Sequence, residues 1–502
     1  MAALIQDNLS ILLVVLPLLA APVTALLPGG RGPWWLTLLV TWACFALAGW
    51  LLADVAAGTI RHYELGGWAP PWGIAYRIDA LNALVALIVA GIGAFAALFA
   101  HRSVAAEIPA ELAGYFYATF QLCLLGLLGI ALTGDLFNLF VFLEISSLSS
   151  YALISMGRDR RALAAAFQYL IMGTLGATFF LIGVGLAYAA TGTLNMADLA
   201  ARLPAAEYPH VVHTAFGFIF VGVGLKIAMY PLHQWLPGAY TYAPSFVSLF
   251  LAATATKVAV YVLIRSVFTV FSADYAAGTW FGELLVLFGA IGVIYGSLQA
   301  IYQQDMKSLL AYSSIAQIGY MVLGIGFLTT LGVTASLVHV FNHALMKAAL
   351  FMVAGIFVYR LGTTAWAGLA GQARAMPWTF AALIIAGLSL IGVPGTVGFV
   401  SKWYLVLAAL EQDAWLVAVI ILAGSLLAII YIWKIVELMY FQPPATADEP
   451  ASAPAGAGRA LPVSLWLPTW ALTLACVGFG LNTELTVGVA ETAAHLLLGG
   501  AP

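Results

Sequence analysis

Stretches of eighteen or more predominantly apolar residues recur from Leu9 to Leu481, separated by short segments in which polar residues, glycine and proline collect. A helix of about 20 apolar residues crosses a hydrocarbon core of about 30 Å, and inside lipid only helices and closed barrels satisfy every backbone polar group. The pattern predicts fourteen spans: 9–27, 34–54, 79–100, 112–133, 136–156, 163–190, 212–236, 244–271, 279–301, 308–329, 331–359, 378–410, 415–440 and 462–482. Two of them, spans 7 and 12, carry Pro or Gly where a continuous helix would break. In span 7 the break falls within Lys226-Ile-Ala-Met-Tyr-Pro231-Leu-His233-Gln-Trp-Leu-Pro237. In span 12 it falls at Pro394-Gly395, about 170 residues on. Proline removes a backbone donor and unwinds the helix, and interrupted helices at corresponding places in two halves point to inverted repeats with an ion path at mid-membrane.

Composition turns this pattern into a fold class. Of 502 residues, 63% are hydrophobic and 8% charged, where a soluble domain has about 25% charged. The chain is expected to be an all-α polytopic membrane protein with no soluble domain. The N-terminal spans 1–3 occupy 1–111, and the two inverted five-helix halves, spans 4–8 and 9–13, occupy 112–271 and 279–440. A flexible loop follows at 441–461, centred on the low-complexity stretch Pro443 to Gly458, and span 14 with its tail takes 462–502. The first eight residues carry Asp7 and neither Lys nor Arg, so span 1 is expected to stay rather than be cleaved.

Charge then orients the chain and excludes partners. Odd-numbered loops hold Arg31, Arg102, Arg158, Arg160, Arg161, Lys307, Arg360, Arg374 and Arg459, against Arg61, Arg77, Arg202 and Arg265 on the even side. Cytoplasmic loops carry the excess of Lys and Arg, so both termini are expected outside, periplasmic in a bacterial inner membrane. A net charge of −3 offers no basic face for nucleic acid. Cys44, Cys123 and Cys476 stand singly, without the spacings that hold zinc, haem or iron–sulfur, and no GxxxxGK[S/T] string is present. The dinucleotide-like Gly91-Ile-Gly-Ala-Phe-Ala96 lies inside an apolar span and reads as helix packing. No cofactor and no metal are expected.

The chemistry lies in charges placed where lipid makes them costly. Of six lysines, Lys226, Lys257, Lys347 and Lys402 sit inside apolar spans. A charge at bilayer centre costs roughly 2.5 to 3.5 kcal/mol. Lys226 lies about 21 Å along its helix, too deep to snorkel to an interface. Glu144, near the middle of span 5, is the matching acid and a natural partner for a buried lysine. Asp135, nearer the end of that span, reads as a cap. In span 11, His339, His343 and Lys347 recur at i, i+4 and i+8, a polar stripe that must face protein or water. The two histidines are either carriers or buried, hydrogen-bonded groups; without the Glu of HExxH a metal reading is weak. Arg265 is expected as an interfacial anchor, and Lys434 with Glu437 as an i, i+3 pair. The candidate conducting residues are thus Glu144, Lys226, Lys257, His339, His343, Lys347 and Lys402.

Five strings carry a resemblance over nearly the whole chain: Gly66-Gly67-Trp68-Ala-Pro-Pro71-Trp-Gly73-Ile74; Asp135-Leu-Phe-Asn with Glu144 and Ser150-Tyr151; Lys226 through Pro237; Tyr302-Gln-Gln-Asp305-Met-Lys307-Ser-Leu-Leu-Ala-Tyr312-Ser-Ser; and Asn342-His343-Ala-Leu-Met-Lys347-Ala. They resemble the antiporter-like subunits shared by respiratory complex I, membrane-bound hydrogenases and Mrp antiporters, and the first string is most similar to the D-type Mrp subunits. The resemblance implies fourteen core helices, two inverted repeats and a proton path through Glu144, Lys226, Lys257, His343 and Lys402. It also implies other membrane subunits as partners, with protons and sodium as the ions moved. Where some complex I subunits have Glu, this chain has Lys402, and where they have His it has Gln317, which leaves open whether the relay runs through span 10. The competing expectation is a membrane-arm subunit of a redox-driven proton pump, and a third is a non-transporting scaffold.

Overall fold

A computed structural model of the protein describes residues 6–28, 30–443 and 461–499. The linker expected at Pro443 to Gly458 falls outside them from residue 444 onward. Among the described residues thirteen helices are long and apolar enough to cross a membrane. In chain order they are α1 (Leu9–Leu26), α2 (Gly32–Val55), α3 (Ala80–Glu107), α4 (Ala113–Leu132), α5 (Leu136–Ser155), α6 (Arg161–Thr191) and α7a (Pro209–Ile227). Next come α8 (Ser245–Val270), α9 (Phe281–Tyr302), α10 (Met306–Gly326), α11 (Thr330–Leu361), α13 (Trp415–Val436) and α14 (Val463–Leu481). Span 12 is present as two shorter helices, α12a (Pro377–Ile391) and α12b (Val397–Glu411). The fourteen spans therefore appear where the apolar pattern places them, and the chain is a multi-pass membrane protein.

Several short elements were not legible in that pattern, among them the following. The loop between α2 and α3 forms an antiparallel hairpin, β1 (Arg61–Glu64) with β2 (Ala75–Ile78), in register Arg61 to Ile78. A short α7b (Trp235–Tyr242) follows the break after α7a, and a helix α15 (Glu484–Leu498) follows α14.

The repeat is visible in the hydrogen bonds. Asp135 caps α5 by accepting from Asn138 N at 2.7 Å, and an isolated antiparallel bridge joins it to Asn195. Asp305 caps α10 by accepting from Ser308 N at 3.2 Å, and a matching bridge joins it to Ala365. Gly192 and Gly362 end α6 and α11 in the left-handed conformation, φ 72° and 75°, which glycine adopts without penalty. Each of these positions lies 170 residues after its counterpart. The first set sits in loops 4 and 6 and the second in loops 9 and 11, hence on opposite faces, as an inverted repeat requires.

Burial separates the helices into an inner and an outer set. The apolar windows of α8 and α10 are 94% buried, against 33% for α13 and α14, so the polar stripes of the inner helices face protein. Close approach is made by glycine: a Cβ on Gly319 of α10 would stand 2.7 Å from the Gly289 carbonyl of α9, and the reverse contact would be 2.8 Å.

Two cavities report the alternation of the spans. One of about 640 Å³ is lined by residues from loops 3, 5, 7, 9 and 11. The other, about 220 Å³, is lined by residues from loops 2, 4 and 6 and the end of α8. With the loop charges counted above, reporter fusions in the loop at Asp159 are expected to be cytoplasmic and fusions at Glu207 periplasmic. The reverse pattern would overturn the orientation while leaving the alternation intact.

Candidate ion-conducting site

The first constellation is built by α5 and α7a. The Lys226 ammonium lies 3.5 Å from Glu144 Oε1 and donates to Ser147 Oγ at 2.7 Å. Two residues later Ala228 turns left-handed at φ 60° and the helix stops. The Leu225 carbonyl exposed by the break accepts from the Trp235 indole Nε1 at 2.8 Å, so an uncharged group from α7b closes the end of α7a. Lys226 is thereby free to face the acid. The pair is unequally covered, with side-chain exposures of 7% for Lys226 and 24% for Glu144, although the Oε1 that faces Lys226 is itself buried.

The second constellation gathers around α11. In α8, Thr254 leaves helical geometry (φ −124°, ψ −57°), an interruption that no proline or glycine announces. Beside it the Lys257 ammonium donates to the Ala252 carbonyl and to Thr256 Oγ1 at 3.3 Å. The rings of His339 and His343 are parallel, with centroids 6.0 Å apart. His339 Nδ1 pairs with Ser401 Oγ of α12b at 2.8 Å. Both nitrogens of His343 are buried and make no hydrogen bond with the described residues. Lys347 donates to Leu310 O at 2.7 Å and Ser313 Oγ at 2.5 Å, both on α10. Lys402 donates to the Leu390 and Ile391 carbonyls at 3.0 and 2.8 Å, closing the end of α12a, and stands 5.0 Å over the Tyr320 ring.

Lys257, His339, His343, Lys347 and Lys402 are all buried, and the helices that carry them pack together, α11 against both α8 and α12b, so five of the seven candidates are brought to one region of the interior. Lys226 and Glu144 form the separate ion pair described above. Beside Lys226 an apolar crevice too small for a water is lined by Leu143, Phe180, Val223, Ala259 and Val262. The two interrupted helices also differ as the sequence order implies: Lys226 precedes its break, while Lys402 follows its own, and the structure adds that Lys402 reaches back across it to the Leu390 and Ile391 carbonyls. Among the described residues no group of three His, Cys, Asp or Glu is placed to hold a metal ion.

Several charges stand elsewhere than expected. Asp135 is the cap it was read to be, and burial raises its carboxyl above the usual range. Arg265 is not an interfacial anchor: it is 5% exposed and pairs with Asp79, the N-cap of α3, at 2.5 Å. It also donates to Asn82 Oδ1 at 2.6 Å, Tyr261 at 3.2 Å and Thr269 at 3.3 Å. The Asp79 to Asn82 capping box was the signal that could have revealed this site, because a capping acid opening an apolar helix seeks a cation when it is buried. Lys434 does not pair with Glu437. The helix passes into a π-turn at Glu437–Phe441, which spoils the i, i+3 alignment, and the ammonium instead donates to the Ile301 and Gln303 carbonyls at 2.8 and 2.9 Å. Lys307, counted among loop cations, is 4% exposed in the first turn of α10. In the loop after α5, Asp159 is hydrogen-bonded by Arg161, which holds its carboxyl below the usual range.

Residues 133–428 match the family described as NADH:quinone oxidoreductase/Mrp antiporter, transmembrane. The chain is 43% identical over 491 residues to the N subunit of the NADH-quinone oxidoreductase of Desulforudis audaxviator, covering 95% of this chain and 96% of the relative. It is 33% identical over 397 residues to the D subunit of the Na(+)/H(+) antiporter of Alkalihalophilus pseudofirmus, covering 78% and 79%. A chain in the structure of the Mrp complex from Dietzia sp. superposes with a TM-score of 0.88 at 26% identity, covering 98% of each.

Proposed function

The chain belongs to the NADH:quinone oxidoreductase/Mrp antiporter membrane family, and from that premise we propose that it carries protons through Glu144, Lys226, Lys257, His343, His339, Lys347 and Lys402 as a subunit of a multisubunit monovalent cation/proton antiporter. The observation that carries this reading is the gathering of three buried lysines and two buried histidines on the packed helices α8, α11 and α12b, with both ring nitrogens of His343 left without hydrogen bonds among the described residues. Buried ionisable groups that interact bind and release protons as a set rather than one by one, which suits the passage of a proton along them. Glu144 holds Lys226 charged, and a proton that neutralises the acid releases the lysine to pass its own.

The chain acts with other membrane subunits in a bacterial inner membrane. Sodium is the ion exchanged on this reading, which the Gly66 to Ile74 string and the likeness to a Na(+)/H(+) antiporter D subunit support. A second reading, a proton-pumping subunit of a quinone-linked redox complex, is favoured by the 43% identity to an oxidoreductase N subunit. Copurification separates the two: small membrane subunits alone favour the antiporter, and iron–sulfur subunits the redox complex. Under either, Lys402→Ala is expected to abolish proton flux in vesicles while its partners still copurify. Flux at the unaltered rate would remove Lys402 from the path.

A further inference from the structure

A cavity of about 640 Å³ lies between the two halves on the odd-loop face, and its lining includes a buried lysine, Lys307, that is not among the candidate residues above. Lys307 is 4% exposed, and its ammonium donates to the Ala243 carbonyl at the end of α7b at 2.9 Å. The acids that share the cavity are committed elsewhere. Glu107 accepts from Ser245 N and Oγ at 2.9 and 3.1 Å, Asp305 from Thr364 Oγ1 at 2.7 Å, and Asp159 from Arg161 at 2.8 Å. The ion pairs of the described residues do not include Lys307. A buried lysine with one neutral hydrogen-bond acceptor, a cavity beside it, and the nearby carboxylates of Glu107, Asp305 and Asp159 each hydrogen-bonded elsewhere is placed to gain and lose a proton.

The inner side of Lys307 leads to the cluster. Leu310, whose carbonyl accepts from Lys347 at 2.7 Å, is three residues along the same helix, about 4.5 Å of axial rise. Ser313, the other acceptor for Lys347, is on the following turn.

We propose that Lys307 is a proton-carrying residue and that the odd-face cavity is the mouth through which protons reach Lys347. Water in the cavity gives a proton to the neutral Lys307 amine, an N–H bond forming as an O–H bond breaks. The ammonium returns a proton to a water on its buried side, and that water protonates Lys347. No electrons change hands, and water is the only co-reactant. The inference rests on the proton-carrying reading given above and adds to it a place where protons are collected.

The test is proton flux in vesicles holding the whole assembly, with Lys307→Met and Lys307→Arg compared at matched copurification of partners. Arginine keeps a donor for the Ala243 carbonyl but does not deprotonate, so it separates a carrier from a clamp. Both variants are expected to lose flux at least about tenfold, since proton transfer by a placed side chain contributes about 10² to 10⁴ in rate. Lys307→Arg retaining more than half the flux overturns the proposal, whatever Lys307→Met does. In parallel, Gln304→Cys, exposed at the cavity rim, is treated with a membrane-impermeant thiol reagent from either side. Block from the odd face alone supports the mouth; no block, or equal block from both faces, overturns it. Cys44, Cys123 and Cys476 are buried, and the unaltered assembly is the reagent control. If that assembly carries no proton flux at all, the proton-carrying reading falls and takes this one with it.

Discussion

Lys226→Ala and Glu144→Gln should each stop proton flux, and the double variant should be no worse than either alone. The ammonium and carboxylate are 3.5 Å apart, with Ser147 as the lysine's other partner. Removing one member of a buried pair leaves the other uncompensated, at roughly 3 to 5 kcal/mol, and drives the survivor to its neutral form. Because Glu144 is about a quarter exposed, the lower end of that range applies to loss of the lysine. Members of one coupled unit do not add their effects. Flux in inverted vesicles at matched expression is the measurement. Glu144→Gln keeping most of its flux while Lys226→Ala loses it would make the carboxylate structural and the switch wrong.

Arg265→Ala should damage the fold more than the transport. The guanidinium satisfies Asp79, Asn82, Tyr261 and Thr269 at once, joining α8 to the start of α3. Its loss leaves a buried carboxylate unpaired and costs about 3 to 5 kcal/mol, a factor of roughly 10² to 10³ or more in the folded ratio. Asp79→Asn should be milder, because asparagine still caps the Leu81 and Asn82 amides. Thermal melting of the purified assembly should fall clearly for Arg265→Ala and less for Asp79→Asn. An unchanged melting temperature for Arg265→Ala would show that this pair does not hold the helices together.

Why some of this could be read in advance and some could not follows from where each signal is stored. The spans were legible because lipid imposes an apolar run of fixed length, and the breaks in α7 and α12 because proline and glycine mark them. Lys226 and Glu144 were legible as a pair because each is a lone charge of opposite sign deep in apolar sequence. The kink at Thr254 was not, since it arises from packing among buried helices and leaves no breaker residue. Lys307 and Arg265 were misread for one reason. A cation near the end of a span has the same sequence appearance whether it faces solvent or a neighbouring helix, and only the packing of α10 and α8 in the interior decides.

The two interrupted helices are sealed by different chemistry. The end of α7a is closed by the Trp235 indole, whose hydrogen bond is indifferent to protonation, while the end of α12a is closed by the Lys402 ammonium through charge-assisted bonds that are roughly twice as strong as neutral ones. The first hinge therefore keeps its stiffness through a turnover. On the proposed path the second slackens whenever Lys402 gives up its proton, which would leave the protein with one fixed joint and one whose rigidity rises and falls with the occupancy of a single site.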